Sequence, residues 1–167
     1  MEISEQSLIE PYLDNASFAD SFSVTLPNRQ QSAFDVYLSL MKSSPDWVNR
    51  LMALRNRIVS LFGLKNLGTM SELTANLDEA SCKPGDRIGI FTLVKLTPNE
   101  VLAEDCDKHL NVRLSFLLVP HGEQVTLHVT TAVHVKNWLG RVYMLFVAPM
   151  HKLIVPASLK ALEREYT

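Results

Sequence analysis

Two runs of alternating residues, 108–119 and 124–135, flank the tetrapeptide Pro120-His121-Gly122-Glu123. They restrict the fold more than any other part of the chain. A two-residue loop at His121-Gly122 pairs residue 120 with residue 123. Leu110 then lies opposite Val133, Val112 opposite Thr131, Leu114 opposite Val129, Phe116 opposite Leu127, and Leu118 opposite Val125. The other parity pairs His109 with His134, Asn111 with Ala132, Arg113 with Thr130, and Ser115 with His128. One face is almost wholly apolar and the other almost wholly polar. Strand side chains repeat every two residues, so a slip of one would mix the faces. The pattern predicts a long antiparallel hairpin with one wet face and one face against a core.

The candidate cover for that core face is NWLGRVYMLFVAPMHKLIVPASL, Asn137 to Leu159, the most apolar stretch of the chain. As a membrane span it is too short. Between Arg141 and His151-Lys152 the uncharged run is only Val142 to Met150, broken by Pro149, where about 20 apolar residues are needed. As a helix it reads well. Asn137 caps it, and Leu139, Val142, Tyr143, Phe146, Met150, Leu153 and Ala157 recur at helical spacing. Pro149 cannot donate to the Leu145 carbonyl, which predicts a kink, and Pro156 repeats the effect. Val142 to Val147 is apolar on all sides. A curved sheet wrapping the helix is therefore expected.

Upstream, SFADSFSVTL at 17–26 reads as a first strand ended by Pro27-Asn28. Ser32 caps a short helix over 33–42. Ser44, Pro45 and Asp46 start a second, whose apolar stripe is Trp47, Leu51, Leu54, Ile58 and Leu61, with a stop at Gly63. Arg50 and Arg57 lie off the stripe. Residues 64–85 are ambiguous, with a weak strand expected over 69–77. Lys83-Pro84-Gly85-Asp86 is a turn, 87–96 reads as one strand, and 97–100 as a turn before a return strand from Val101. Residues 1–16 form an N-terminal arm, and 17–167 one domain.

Composition excludes some functions. With 16 basic and 18 acidic residues, net charge −2, there is no electrostatic case for nucleic acid or for an anionic membrane surface. Cys82 and Cys106 have no CxxC spacing, and free thiols fit a reducing compartment. The start, MEISEQSLIEPYLD, has no basic segment leading into an apolar one, so a cytoplasmic protein is expected.

The order strand, two helices, antiparallel meander and long C-terminal helix resembles the START-like (SRPBCC) superfamily. The chain is most similar to an uncharacterised, mainly bacterial domain-of-unknown-function family within it. PDWVNRLMALRNRIVSLFGLK (45–65), DKHLNVRLSF (107–116) and TAVHVKNWLGRVYMLFVAPMHKLIV (131–155) carry the likeness, most specifically at Asn137, Gly140, Arg141, Tyr143, Pro149 and His151. The resemblance implies an α+β helix-grip fold: a curved antiparallel sheet wrapped around a long kinked C-terminal helix, with two short helices after the first strand. In many such relatives the space between sheet and helix holds an apolar ligand. The superfamily usually has seven strands; this chain gives five, with a sixth in 64–85. A fold of this kind does not carry a reaction with it.

The expected ligand-binding residues are Leu114, Phe116, Leu127, Val129, Tyr143, Phe146, Val147, Met150 and Ile154, beside Leu110, Val112 and Val133. The same side chains would equally fill a solid core. Tyr143, if buried, needs a hydroxyl partner and is the expected polar contact. Arg141 sits in the first helical turn, where the dipole disfavours a cation. It is expected to bridge Glu104, Asp105 or Asp107, or to anchor a ligand carboxylate; with His151 it marks the cavity mouth. Gly140 permits close approach to a strand. His109 and His134, near Asp105 and Asp107, raise a metal pair against a solvated face; Ser115 and His128 raise a nucleophile and base against the same face. Neither is assigned as metal or catalytic site, and no cofactor is expected. The leading expectation is a carrier or sensor for a small apolar molecule, lipid-like or aromatic. The alternatives are a cyclase- or hydrolase-type enzyme using Tyr143, His151 or Arg141, and a ligand-free interaction module, with a homodimer among the options.

Overall fold

The computed structural model describes residues 7–60 and 77–167. The stop at Gly63 and Leu61 of the second helix's stripe lie outside the described residues. So does the weak strand over 69–77, apart from Leu77, which is not in a strand.

The paired runs form β5 (Leu110–His121) and β6 (Gln124–Val135), antiparallel, with Leu110 opposite Val135, Phe116 opposite Val129 and Leu118 opposite Leu127. The register is two residues from the expected one, because the loop is Gly122-Glu123. Gly122 has φ +68° and takes the first central position, where a tight hairpin turn needs glycine. A shift of two preserves parity, so the same side chains face the core. The expected polar pairs do not survive it: His134 opposes Asn111, and His128 opposes Leu117.

β1 (Phe18–Pro27) pairs with β6, and β4 (Glu100–Cys106) with β5. The segment 87–96 is two strands, not one. Gly89, at φ +74°, folds β2 (Arg87–Ile88) back onto β3 (Phe91–Leu96), with Arg87 opposite Thr92. The described residues thus form a six-stranded antiparallel sheet ordered β1-β6-β5-β4-β3-β2.

Three helices share its inner face. α1 (Ala33–Lys42) starts on a capping box in which Ser32 and Asp35 satisfy each other's backbone N–H. It buries Phe34, Tyr37 and Leu40; the Tyr37 hydroxyl donates to the Ile88 carbonyl, and its ring meets Phe116 edge-on at 4.9 Å. α2 (Asp46–Ser60) is rotated from the expected stripe. Val48 is fully buried and Met52 packs on the core, while Trp47 and Leu54 are exposed. The rotation turns Arg55 inward, where it meets the third helix.

That helix, α3 (Trp138–Tyr166), runs 29 residues through both prolines. Its start is tied to the turn before β5. Asn137 Oδ1 accepts from Gly140 N (3.1 Å), Asn137 Nδ2 lies 3.0 Å from His109 Nδ1, and Lys136 N donates to the His109 carbonyl (2.8 Å). A Cβ on Gly140 would land on that carbonyl oxygen and 3.0 Å from Val135 Cγ1. The C-terminal half buries Leu159, Leu162 and Tyr166. The N-terminal half is not wrapped. α3 packs on β1, β6 and α1 from one side only, leaving Leu145 73% and Phe146 70% exposed. One sheet face divided among three helices cannot encircle any of them.

The outer face is not simply wet either. Residues 7–16 lie across it, and Ile9, Leu102 and Ala132 make a second buried cluster with Leu8, Tyr12 and Leu13. Its polar centre is the Glu100 carboxylate, which is buried. It accepts from Ser7 Oγ (2.7 Å), Ser115 Oγ (2.6 Å) and Leu8 N (2.9 Å to Oε2). Arg113 bridges Glu104 at 3.2 Å and lies over the Tyr12 ring.

Two substitutions test these contacts by urea unfolding. Gly140→Ala forces Cβ into a backbone carbonyl and should cost about 1–3 kcal/mol. Glu100→Ala orphans buried donors and should also cost about 1–3 kcal/mol. An unchanged midpoint for either would contradict the contact concerned.

Candidate functional site

Between the sheet and the helices lies a cavity of about 170 Å³. The sheet supplies Leu110, Val112, Leu114, Phe116 and Val129, all on the core parity of β5 and β6. α1 gives Leu40 and Met41, α2 gives Leu51, Met52 and Arg55, the β2–β3 turn gives Ile90, and the start of β3 gives Phe91. Tyr143, Val147, Met150, Ile154 and Val155 close it from α3. The polar wall groups are Ser44, Arg55, Asp105, Tyr143, His151 and Ser158.

Of the nine side chains expected at a ligand site, Leu114, Phe116, Val129, Tyr143, Val147, Met150 and Ile154 line this space. Two do not. Leu127 is fully buried in the core, paired with Val24 and Leu118. Phe146 is 70% exposed. It sits one residue, about 100° of helical arc, from Val147, which is on the wall.

The polar wall is organised around two pairs. Tyr143 Oη accepts from Arg55 Nε at 2.8 Å, and the Arg55 guanidinium lies 5.5 Å from the ring centroid. Burial pushes the Tyr143 phenol up, outweighing the lowering by Arg55. The hydroxyl therefore stays protonated at neutral pH, and among the described residues its proton has no acceptor. Tyr143 thus presents a neutral phenol at the cavity wall, not a base.

The second pair joins the sheet to α3. His151 Nε2 is 3.2 Å from Asp20 Oδ1 and 3.1 Å from Thr131 Oγ1, and Phe18 meets its ring edge-on. Asp20 and Thr131 are direct partners in the β1–β6 register. The sequence carries a sign of this cluster. Asp20 interrupts the apolar parity of β1, Thr131 interrupts that of β6, and the two interruptions meet. Asp20 Oδ2 and the Ser158 hydroxyl are buried with no partner among the described residues.

Arg141 does not make the expected ion pair. It is exposed, two residues and about 200° from Tyr143. Among the described residues no carboxylate pairs with it, and Glu104 is taken by Arg113. His109 serves the helix cap, and His134 Nε2 lies 3.3 Å from the Asp14 carbonyl. Among the described residues no group of three or more His, Cys, Asp or Glu is arranged to hold a metal ion.

The family described as "Protein of unknown function (DUF2867)" matches residues 12–158. The chain belongs to this family. The DUF2867 match begins in the segment crossing the outer sheet face and ends at Ser158, the last wall residue, so every cavity residue lies inside it. A crystal structure of a conserved protein from Geobacillus kaustophilus is similar over 89% of this chain and 95% of that one, at 14% identity and a TM-score of 0.42. No curated protein matches the chain.

Tyr143→Phe leaves Arg55 Nε without its acceptor. Urea unfolding should show a loss of about 1 kcal/mol; no loss would mean that the pair does not stabilise the fold. Folding raises the Tyr37 and Tyr143 phenols above 10.0. Their contribution is thus full below pH 10 and is lost as pH rises through the folded values. A pH titration of the melting temperature should decline more steeply there for the wild type than for Tyr143→Phe.

Proposed function

We propose that this DUF2867 protein binds one small, mainly apolar molecule bearing a hydrogen-bond acceptor, and acts as its carrier or sensor. The observation that supports this best is the apolar cavity of about 170 Å³ with Tyr143, whose hydroxyl is held by Arg55, on its wall. An apolar cavity of about 150 Å³ accepts benzene, whereas drug-sized ligands need roughly 300–1,000 Å³. The volume favours a single aromatic ring or a short aliphatic body over a long-chain lipid. In this reading the fold is a helix-grip of START-like type, supported by α3 lying over the inner face of the curved sheet with the cavity between. The cytoplasm is the proposed setting, since Cys82 and Cys106 form no disulfide.

Acetophenone and its hydrocarbon isostere α-methylstyrene provide the test, each titrated by calorimetry. The wild type should bind acetophenone roughly 3–10-fold more tightly, one net hydrogen bond's worth. Tyr143→Phe should erase that difference, and Val147→Trp, which fills the space, should abolish binding of both. Failure of either probe to bind at any soluble concentration would end the proposal.

One observation favours a second reading, a cyclase- or hydrolase-type enzyme: the Asp20–His151 pair at the cavity wall. A carboxylate and an imidazole in hydrogen-bond contact can orient and support a general base. Turnover of 4-nitrophenyl acetate that disappears in His151→Ala, with acetophenone binding intact, would favour the enzyme. Equal background rates would favour the carrier.

A further inference from the structure

The side of α3 turned from the cavity is apolar, and none of the described residues covers it. Trp138 is 72%, Leu145 73%, Phe146 70%, Leu153 65% and Val142 41% exposed. At 3.6 residues per turn these five fall within an arc of about 100°, and from Trp138 to Leu153 they run about 22 Å along the helix. So large a continuous patch calls for a partner.

Charge selects among partners. No Asp or Glu occurs between Glu123 and Glu163, while Lys136, Arg141, Lys152 and Lys160 do. The chain as a whole is at −2, but this segment is cationic. Arg141 and Lys152 are exposed on one flank of the apolar arc. A second copy docked here about a two-fold axis would bring these cations toward each other with no carboxylate from either copy's residues 124–162 between them, which disfavours self-association. An anionic bilayer neutralises them instead. A helix with Trp, Phe and Leu on one side and Lys or Arg along its edge is the pattern of an interfacial anchor, the cations reaching up to the headgroups.

We infer that the outer face of α3 seats the protein on an anionic lipid bilayer surface, the helix axis lying in the membrane plane. By length and composition α3 could cross a membrane. Its other face, however, is bound to the protein through Tyr143–Arg55, His151–Asp20 and the Gly140 contact. It therefore lies on the bilayer and does not cross it. The inference goes beyond ligand binding, and the two fail separately because they use opposite sides of one helix.

The test uses the full chain and vesicles of phosphatidylcholine, with and without phosphatidylserine. In a Trp47→Phe background Trp138 alone reports. Flotation with the phosphatidylserine vesicles and a blue shift of Trp138 emission are expected. Binding should weaken more than tenfold on pure phosphatidylcholine, and by roughly fivefold for each of Arg141→Ala and Lys152→Ala. Leu145→Glu with Phe146→Glu should abolish binding while leaving melting and acetophenone affinity unchanged. Failure to bind either vesicle, or binding without a Trp138 shift, overturns the inference. So does a concentration-dependent dimer that shifts Trp138 without lipid and is lost in the double glutamate variant; it would assign the face to a second copy.

Discussion

Side chains on β5 and β6 alternate between two faces, and nothing short of a one-residue slip can move them. Leu110, Leu114, Phe116, Leu127, Val129 and Val133 must therefore share one side, and water must be kept from it. Three helices compete for that single face. α1 sets Tyr37 against Phe116 and bonds it to Ile88 at the end of β2. α3 is held at its start by the Gly140–His109 approach and further along by His151 on Asp20 and Thr131. Between these fixed points the opposing surfaces do not close, and the cavity is the result.

The same arrangement divides α3 into a cavity-facing side and an exposed side. Positions 143, 147, 150 and 154 recur at helical spacing toward the cavity, and 138, 142, 145, 146 and 153 recur away from it. Uniform apolarity along the segment thus covers two surfaces, a cavity wall within and an exposed face without.

Much of the fold was legible from period alone. The hairpin faces, the caps at Ser32 and Asn137, and the role of Gly140 all follow from rules that act within a few residues. What pattern could not reveal depends on partners distant in sequence. Gly122 can occupy either central place of a two-residue turn, so the register was open by two. Alternation runs unbroken through Gly89 although the chain reverses there. The expected α2 stripe, Trp47 and Leu54, was outbid by Val48, Met52 and the Arg55–Tyr143 contact. Phe146 reads as inward only if an all-apolar helix needs cover on every side, and here it is exposed. Residues 7–16 gave no periodic signal, yet Ser7 and Leu8 satisfy the buried Glu100. Asp20 and Thr131 were visible as polar breaks in apolar parity, and only the strand pairing shows that they meet.

The central claim is that open apolar space separates α3 from the strands it covers. Xenon probes this without any polar contact, since it enters dry cavities of this size. Diffraction from a xenon-pressurised crystal should show the gas bounded by Leu114, Val129 and Val147. Absence of xenon there, with Phe146 or a neighbouring side chain filling the volume, would contradict the account.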